Sequence, residues 1–278
     1  MPAVDLARDR EILNRAVREA GAEVLARFGL ASHHWHKDDE SPVSEADHAA
    51  NDILYEELIA RHGGHYGFLS EESADNRHRL KARRTWIVDP IDGTRAFLNG
   101  TPHFTVCVAL IEEGKAILSA VYNPATDEFF AAERGRGATL NDRPITASRR
   151  SDLEGSTLLA HKQLFALPGW PAPWPPMNVD QVNSTSYRLA LVAAGKFDAM
   201  ITLLPKYDWD AAPGALIAEE AGAIVSDHIG QKFSYNKIDP RQRSLVCAGP
   251  NLYSHLLGRV SHLPGDFSVL AEYLKGRT

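Results

Sequence analysis

Several features are scarce in this chain of 278 residues, and each scarcity excludes a class of protein. The only two cysteines, Cys107 and Cys247, lie within apolar runs, so neither a disulfide framework nor a thiolate metal site is indicated. No apolar run approaches the roughly 20 residues that cross a bilayer. The first stretch, MPAVDLARDREI, is charged where a secretion signal is apolar. We therefore expect a cytoplasmic protein with no membrane partner.

Basic blocks and nucleotide motifs are also missing. The chain has 30 basic and 36 acidic residues, and the net charge of -6 is spread along it. There is no arginine-rich tail of the kind that follows a nucleic-acid backbone. The glycine-rich loop of nucleoside-triphosphate enzymes and the GxSxG nucleophile motif are absent as well. The sequence therefore argues against a nucleic-acid polymer as partner and against kinase or serine-hydrolase chemistry.

The apolar pattern predicts a mixed α/β protein. Helical spacing predicts a first helix from Val4 to Phe28 and a second from near Ser44 to the Gly63-Gly64 pair. The run TVCVALIEEGKAILSAVYNP predicts a hairpin that turns at Glu-Gly-Lys. In the second half, SYRLALVAAGK and DAAPGALIAEEAG read as helices, and FDAMITLL and AIVSD as strands. The stretch LPGWPAPWPPMNV is rich in proline and tryptophan and is expected to form a surface loop near a domain junction.

The stretch WIVDPIDGTRAF places two carboxylates three residues apart at the end of an apolar strand. Pro90 is expected to end the strand ladder and fix the direction of Asp89. Gly93 is expected to adopt a backbone conformation that other residues avoid. The turn would let Asp89 and Asp92 face one point with the Ile91 carbonyl between them, an oxygen set that suits Mg²⁺ or Mn²⁺. An Asp-Pro turn followed by an Asp-Gly turn is the ordinary structural explanation.

Other acidic residues have ordinary explanations of their own. Glu71 follows the strand-like GFLS and suits a solvated strand end. Asp47 forms a capping box with Ser44, which satisfies the start of a helix. Asp210 precedes a helix with Pro213 in its first turn, where an acid complements the helix dipole. Taken singly, none of these acids requires a catalytic role.

The order and spacing of these motifs are more specific than any one of them. DPIDGT, the SEE of residues 70–72, SPVSEAD with Lys37 before it, and WDAAPGALIAEEAG together resemble the inositol monophosphatase family. The resemblance covers nearly the whole chain. It implies a layered αβαβα sandwich of the inositol monophosphatase and fructose-1,6-bisphosphatase type. It also implies an Mg²⁺-dependent enzyme that hydrolyses a small-molecule phosphate monoester, binds two or three Mg²⁺ ions, accepts Mn²⁺ in their place and forms a homodimer.

Residue roles follow from the same resemblance, position by position. The implied metal ligands are Glu71, Asp89, the Ile91 carbonyl, Asp92 and Asp210. Asp47 and Thr94 would orient and deprotonate the attacking water, with Glu71 assisting as a third catalytic residue. The implied substrate contacts are Asp92, Gly93, Thr94, Arg95, Ser186 and Arg188. Residues 1–150 would then form an α+β region with most metal ligands, and residues 151–278 an α/β region that adds Asp210.

Three positions depart from the pattern of the inositol enzymes and bear on the substrate. Arg95 replaces a small polar residue, and Leu203 stands where those enzymes place a glutamate for an inositol hydroxyl. Arg188 stands where phosphatases of 3'-phosphoadenosine 5'-phosphate have lysine. Arginines suit a second phosphate. We therefore expect a 3'(2'),5'-bisphosphate nucleotide ahead of inositol 1-phosphate and histidinol phosphate.

Two further alternatives concern function rather than substrate. A family-shaped scaffold that binds a ligand or protein without turnover is the non-enzyme alternative, because a fold does not fix a function. No member of the carboxylate set is missing, which favours an enzyme. The histidines His33, His34 and His36 are compatible with a transition-metal site, but their charged neighbours indicate a solvated face.

Overall fold

The structure, a computed structural model, describes residues 6–30, 34–36, 42–62, 65–166 and 170–263. Within these residues the α-helices are α1 (Leu6–Arg27), α2 (Glu45–Leu58), α3 (Thr94–Leu98), α4 (Thr185–Ala193), α5 (Asp208–Glu220) and α6 (Pro250–Val260). Short 3₁₀ helices lie at Ala60–His62, His78–Lys81 and Lys162–Ala166.

The strands form two main sheets and two small ribbons. The first ribbon pairs β1 (His34–His36) with β2 (Pro42–Ser44). The larger sheet contains, in spatial order, β3 (Tyr66–Ser70), β4 (Arg84–Asp92), β5 (Thr105–Glu112), β6 (Lys115–Asn123), β7 (Glu128–Glu133), β8 (Ala138–Leu140) and β9 (Arg143–Pro144). Its strands are antiparallel except for the parallel pair β3 and β4.

The smaller sheet lies in the second half of the chain. Its strands are β10 (Thr157–Leu159), β11 (Asn178–Asp180), β12 (Ala199–Thr202), β14 (Ile224–Ser226) and β16 (Leu245–Ala248), in the spatial order β11-β10-β12-β16-β14. β10 is parallel to both β11 and β12, whereas β16 is antiparallel to its two neighbours. The second ribbon pairs β13 (Lys206–Tyr207) with β15 (Arg241–Gln242).

The elements stack in five layers. α1 and α2 cover one face of the larger sheet, and α4 and α5 lie between the two sheets. α6 covers the outer face of the smaller sheet. Because helices cover both faces of the larger sheet, β5 reads as a continuous apolar run and is buried along seven of its eight residues. The expected αβαβα sandwich is therefore confirmed.

Most elements match the sequence expectations, with three corrections. α2 ends at Leu58 rather than at the glycine pair, which lies outside the described residues together with Val4. β4 continues past Pro90 to Asp92, because the ladder shifts register instead of ending. α5 begins at Asp208, so Pro213 lies in its second turn rather than its first.

The β1 region bears on the histidine expectation. His34 is exposed, whereas His33, Lys37 and the side chain of His36 lie outside the described residues.

The division at residue 150 remains a prediction. Each main sheet lies on one side of that position, but one hydrophobic core contains side chains from both halves, such as Ile87 and Ala215.

Candidate active site

Two clustered carboxylates come from the end of β4. Asp89 pairs with Cys107 of β5, and Asp92 pairs with Thr105, so β4 carries one extra residue between the two pairs. Residues three apart on a regular strand point to opposite faces. A β-bulge re-aims side chains, and this one lets both aspartates face the same point.

The turn after β4 depends on Gly93. Its φ is 103°, in the region that favours glycine. A Cβ atom there would lie 2.6 Å from the carbonyl oxygen of His103. Glycine therefore allows the chain to turn directly from Asp92 into α3, as the sequence predicts.

A third carboxylate joins this pair from the second half of the chain. Asp210 lies in the first turn of α5, where its Oδ2 accepts the amide of Tyr207 at 2.9 Å. Carboxylate oxygens of Asp89, Asp92 and Asp210 all lie within 4.8 Å of one another. Asp89 is 1% exposed, and neither of its oxygens has a hydrogen-bond partner among the described residues.

The electrostatics of this cluster fit a bound cation. Burial and then the charge of Glu71 raise the pKa of Asp89 well above its ordinary value. Burial and then Asp210 raise the pKa of Asp92 to about 6, although bonds from α4 oppose the shift. A hard divalent cation would relieve the repulsion and provide the partner that Asp89 lacks. The all-oxygen donor set suits Mg²⁺ or Mn²⁺.

The start of α4 fixes Asp92 in place. Oδ2 of Asp92 accepts the hydroxyl of Ser184 and the amide of Ser186, both at 2.8 Å. The hydroxyl of Ser186 donates to the backbone carbonyl of Asp210 at 2.7 Å. Ser186 is fully buried and joins α4 to α5. Its contact with a substrate therefore remains a prediction.

Asp47 lies in the first turn of α2 and has two sets of partners. Its Oδ2 accepts the amide and the hydroxyl of Ser44, at 2.8 and 2.7 Å. The hydroxyl of Thr94 lies 3.1 Å from Oδ1 of Asp47 and 3.0 Å from the carbonyl oxygen of Ile91. Burial raises the pKa of Asp47 to about 6 although the Ser44 bonds lower it. The capping box is therefore present, and the predicted pair of Asp47 and Thr94 is in contact.

Glu71 and Ile91 occupy the same cavity as the three aspartates. Glu71 follows β3, and its amide donates to the carbonyl of Val88 at 3.2 Å. Both residues line a cavity of about 550 Å³ together with Asp89, Asp92 and Asp210. Glu71 acts on Asp89 through its charge, but it is not among the carboxylates that meet within 4.8 Å. The structure thus brings three of the predicted ligands into one cluster and places the other two beside it.

The predicted substrate residues divide between the cavity and its support. Gly93, Thr94, Arg95 and Arg188 line the cavity, and Arg95 is exposed. Arg188 donates from Nε to the carbonyl of Ser184 at 3.3 Å and from a terminal nitrogen to the hydroxyl of Thr185 at 3.2 Å. Burial lowers its pKa, although the charges of Asp92 and Asp210 work in the opposite direction. Arg188 therefore lies within reach of the carboxylate cluster.

Sequence reasoning did not identify several polar residues of this cavity. Its lining also includes His161, Gln181 and Thr202. His161 and Gln181 follow the parallel strands β10 and β11, and Thr202 ends β12. Ligands of α/β proteins bind outside the carboxyl ends of parallel strands. Of these, His161 and Thr202 directly follow short apolar runs, LLA of residues 158–160 and AMI of residues 199–201, and Gln181 does not, so the sequence carries no common signal for them.

His161 and Leu203 give this side of the cavity its chemical character. Nδ1 of His161 is buried and has no hydrogen-bond partner in the described part of the chain. Leu203 is 2% exposed and packs in the hydrophobic cluster around the smaller sheet. Lys206 contributes a cation, and its charge acts on Asp92. This side of the cavity therefore combines the apolar surface of Leu203 with the side-chain nitrogen atoms of His161 and Lys206.

Comparisons with known proteins agree with this fold and with the buried carboxylate cluster at its cavity. The model of the inositol monophosphatase family matches residues 5–263. The inositol-1-monophosphatase of Rhizobium meliloti is 36% identical over 234 residues, which are 79% of this chain and 85% of that protein. The histidinol-phosphatase of Chlorobaculum parvum is 32% identical over 236 residues, 81% and 87% of the two chains.

A solved structure agrees with these sequence relatives. The extragenic suppressor protein suhB of Bartonella henselae has a TM-score of 0.76 and 29% identity, and the match covers 91% of this chain and 98% of that one. The chain belongs to the inositol monophosphatase family, and it is a phosphomonoester hydrolase. None of the described helices is long and apolar enough to cross a membrane.

Proposed function

We propose that the protein is an Mg²⁺-dependent phosphatase whose metal centre is the cluster of Asp89, Asp92 and Asp210. The observation that carries the proposal is the buried carboxylate of Asp89, which faces two other acids and lacks a hydrogen-bond partner among the described residues. A carboxylate so placed is costly unless a cation binds it. Glu71 and the Ile91 carbonyl would complete the ligand set for two or three Mg²⁺ ions, and Mn²⁺ would replace them.

The ions would supply charge neutralisation on the phosphate and lower the pKa of the attacking water. The chain's own groups would perform the remaining steps. Asp47 would take the proton of the water through the Thr94 hydroxyl, which its Oδ1 already contacts. Glu71, at the cavity beside Asp89, would assist in orienting the water. The amides of Gly93 and Thr94 would hold phosphate oxygens as the turn presents them.

The proposed substrate is a 3'(2'),5'-bisphosphate nucleotide such as 3'-phosphoadenosine 5'-phosphate. The cavity contains three cations, Arg95, Arg188 and Lys206, beside the carboxylate cluster. Metal ions at the carboxylate cluster would neutralise one phosphate, and these cations would bind the second. The unpartnered Nδ1 of His161 would accept or donate a hydrogen bond to the nucleoside portion.

Inositol 1-phosphate is the second candidate, supported by the relative from Rhizobium meliloti that carries this activity in its name. Histidinol phosphate is the third, supported in the same way by the relative from Chlorobaculum parvum. The buried Leu203 disfavours inositol, because it provides no acceptor for a ring hydroxyl. Gln181 and Thr202 are among the neutral polar groups of the cavity lining that would replace that acceptor in an inositol enzyme.

A panel of phosphate monoesters assayed for phosphate release with Mg²⁺ decides among these candidates. The three esters above and a simple aryl phosphate form the panel. We expect the highest kcat/KM for the bisphosphate nucleotide. A higher value for inositol 1-phosphate would overturn the substrate proposal, and no release from any ester would favour the non-enzyme scaffold. The homodimer and the cytoplasmic location remain predictions.

A further inference from the structure

Asn236 links three parts of the chain: the 3₁₀ helix that follows β3 and Glu71, the strand β4 and the first residue of α5. Its Oδ1 accepts a terminal nitrogen of Arg79 at 2.6 Å, and Arg79 lies in the segment that follows β3 and Glu71. Its Nδ2 donates to the hydroxyl of Thr85 on β4 at 3.1 Å. Its backbone amide donates to Oδ2 of Asp208, the first residue of α5, at 2.7 Å.

Arg79 connects Asn236 to the segment that follows Glu71 through its bonds to Asp75. Its side chain is fully buried and donates from Nε and a terminal nitrogen to the two carboxylate oxygens of Asp75, at 3.1 and 2.8 Å. A further bond reaches the carbonyl of Lys237 at 2.9 Å. A buried guanidinium that satisfies two separate chain segments fixes both, because a lost partner leaves an unpaired buried charge.

The other side of the contact is equally constrained. Asp208 is fully buried, and its Oδ1 accepts Nε2 of Gln242 at 2.7 Å. Its amide donates to the carbonyl of Pro240 at 2.8 Å. β13 and β15 add antiparallel pairs between Lys206 and Gln242 and between Tyr207 and Arg241. The segment 234–242 therefore holds the start of α5, two residues before Asp210.

We propose that Asn236 is a positioning residue, which fixes Asp210 of α5 relative to Glu71 and the aspartates of β4 and thereby sets the affinity for the metal. This inference rests on the proposed function. The carboxylates come from opposite halves of the chain and repel one another, so something other than the acids must hold them together when no cation is bound. Within the described residues, Asn236 bonds to Arg79 of the 3₁₀ helix after Glu71, to Thr85 of β4 and to Asp208 of α5.

The backbone of Asn236 allows a clean test. Its φ is 60°, which asparagine and glycine tolerate and other residues adopt only with strain. Asn236→Gly therefore keeps the backbone path and the bond to Asp208 while removing both side-chain links. Thr85→Val is a milder second variant that removes a single hydroxyl from the same contact.

Asp9→Asn is the matched control. Asp9 is a buried acid that accepts Arg84 at 2.8 Å and the hydroxyl of Tyr66 at 2.6 Å, and Arg84 precedes Thr85 on β4. The substitution disturbs a buried ion pair with Arg84 of β4, the strand that also carries Thr85. Asp9 itself lies on α1, away from the carboxylate cluster. A general loss of stability would affect the control and the test variants alike.

The measurement is Mn²⁺ binding to wild type and variants without any phosphate ester, followed by the electron paramagnetic resonance of free Mn²⁺. Thermal unfolding without metal shows that each variant is folded. We expect Asn236→Gly to weaken Mn²⁺ binding by roughly 10-fold, the lower end of the effect of groups that bond directly to metal ligands, because Asn236 acts one step further away. Thr85→Val should weaken it by a smaller factor, and Asp9→Asn should not change it.

Two results would overturn the inference alone. One is an unchanged Mn²⁺ affinity, equal to that of wild type, in both folded variants, Thr85→Val and Asn236→Gly. The other is an equal loss of affinity in Asp9→Asn, which would indicate general loosening. A wild-type protein that binds no Mn²⁺ would instead overturn the proposed function, and the inference with it.

Discussion

The hydroxyl of Thr94 lies 3.1 Å from Oδ1 of Asp47, although 47 residues separate them in sequence. The other oxygen of this carboxylate is taken by the two bonds from Ser44. One carboxylate therefore serves a helix start through Oδ2 and faces the active-site turn through Oδ1. The capping and catalytic explanations of Asp47 are compatible, and substitution separates them.

Asp47→Asn is expected to remove activity while leaving the fold intact. The amide oxygen of asparagine can still accept the two bonds from the N-cap residue Ser44, so the free energy of unfolding should change by less than ~1 kcal/mol. An amide cannot accept a proton at neutral pH, so kcat should fall by at least ~100-fold. Thermal unfolding and steady-state kinetics on the same preparation measure both effects. Near-wild-type turnover would leave only the capping role.

Asp89→Asn is expected to change stability and activity in opposite directions. The substitution removes a buried acid whose pKa is raised by burial and by the charges of Glu71 and Asp92, which means that folding disfavours its ionised form. The metal-free variant should therefore unfold at a higher temperature than metal-free wild type. Activity and the stabilisation by added Mg²⁺ should both be lost. A metal-free variant less stable than wild type would mean that Asp89 has a structural partner after all.

The stabilisation that Mg²⁺ confers should depend on pH. The pKa values of Asp47 and Asp92 are raised from 3.8 to about 6. At a pH between 3.8 and about 6, these two groups hold protons in the native metal-free protein that they have released in the unfolded chain. Their contribution to the free energy of unfolding therefore grows as the pH falls through about 6. Metal binding requires Asp92 to be ionised and releases its proton, and the charge of a bound cation also favours the ionised form of the nearby Asp47.

The rise in unfolding temperature caused by Mg²⁺ should consequently be larger at about pH 8 than at about pH 5. Differential scanning fluorimetry with and without Mg²⁺ at each pH measures it. Other titrating groups act equally on both samples and cancel. An equal or larger Mg²⁺ effect at the lower pH would contradict the assignment of Asp92 to the metal centre.

Arg188→Ala should discriminate between substrates. A charge-assisted bond to phosphate contributes about 1.5–3 kcal/mol, so kcat/KM for 3'-phosphoadenosine 5'-phosphate should fall by roughly 10- to 150-fold. The value for inositol 1-phosphate should change little. Because Arg188 also bonds to Ser184 and Thr185, Arg188→Lys serves as a control that keeps the charge. Equal losses on both substrates would assign Arg188 to the fold or to the shared phosphate.

Local chemistry made much of this molecule predictable from its sequence. The glycine conformation at residue 93, the hairpin of β5 and β6 and the capping box of α2 all depend on neighbouring residues. Pro90 shows the limit of such reasoning. A proline removes one ladder bond, but pairing with β5 resumes at Asp92 because a bulge absorbs the interruption.

The contacts that could not be predicted are distant in sequence. The bond between Arg79 and Asn236 joins residues 157 positions apart, and neither residue lies in a motif. His161, Gln181 and Thr202 meet only because three short strands run parallel, an order that periodicity does not reveal. α5 begins earlier than expected because Asp210 caps the helix from inside its first turn.

Phosphate release by wild type and by Asp92→Asn, with excess Mg²⁺ and with EDTA, tests the central claim most directly. Wild type should hydrolyse its best ester with Mg²⁺, lose that activity in EDTA and regain it when Mg²⁺ is restored. Asp92→Asn should be slower by at least ~100-fold at the same Mg²⁺ concentration, because it loses a ligand and its charge. Wild-type activity that is unchanged in EDTA, or an Asp92→Asn variant with near-wild-type turnover, would contradict a metal centre at these carboxylates.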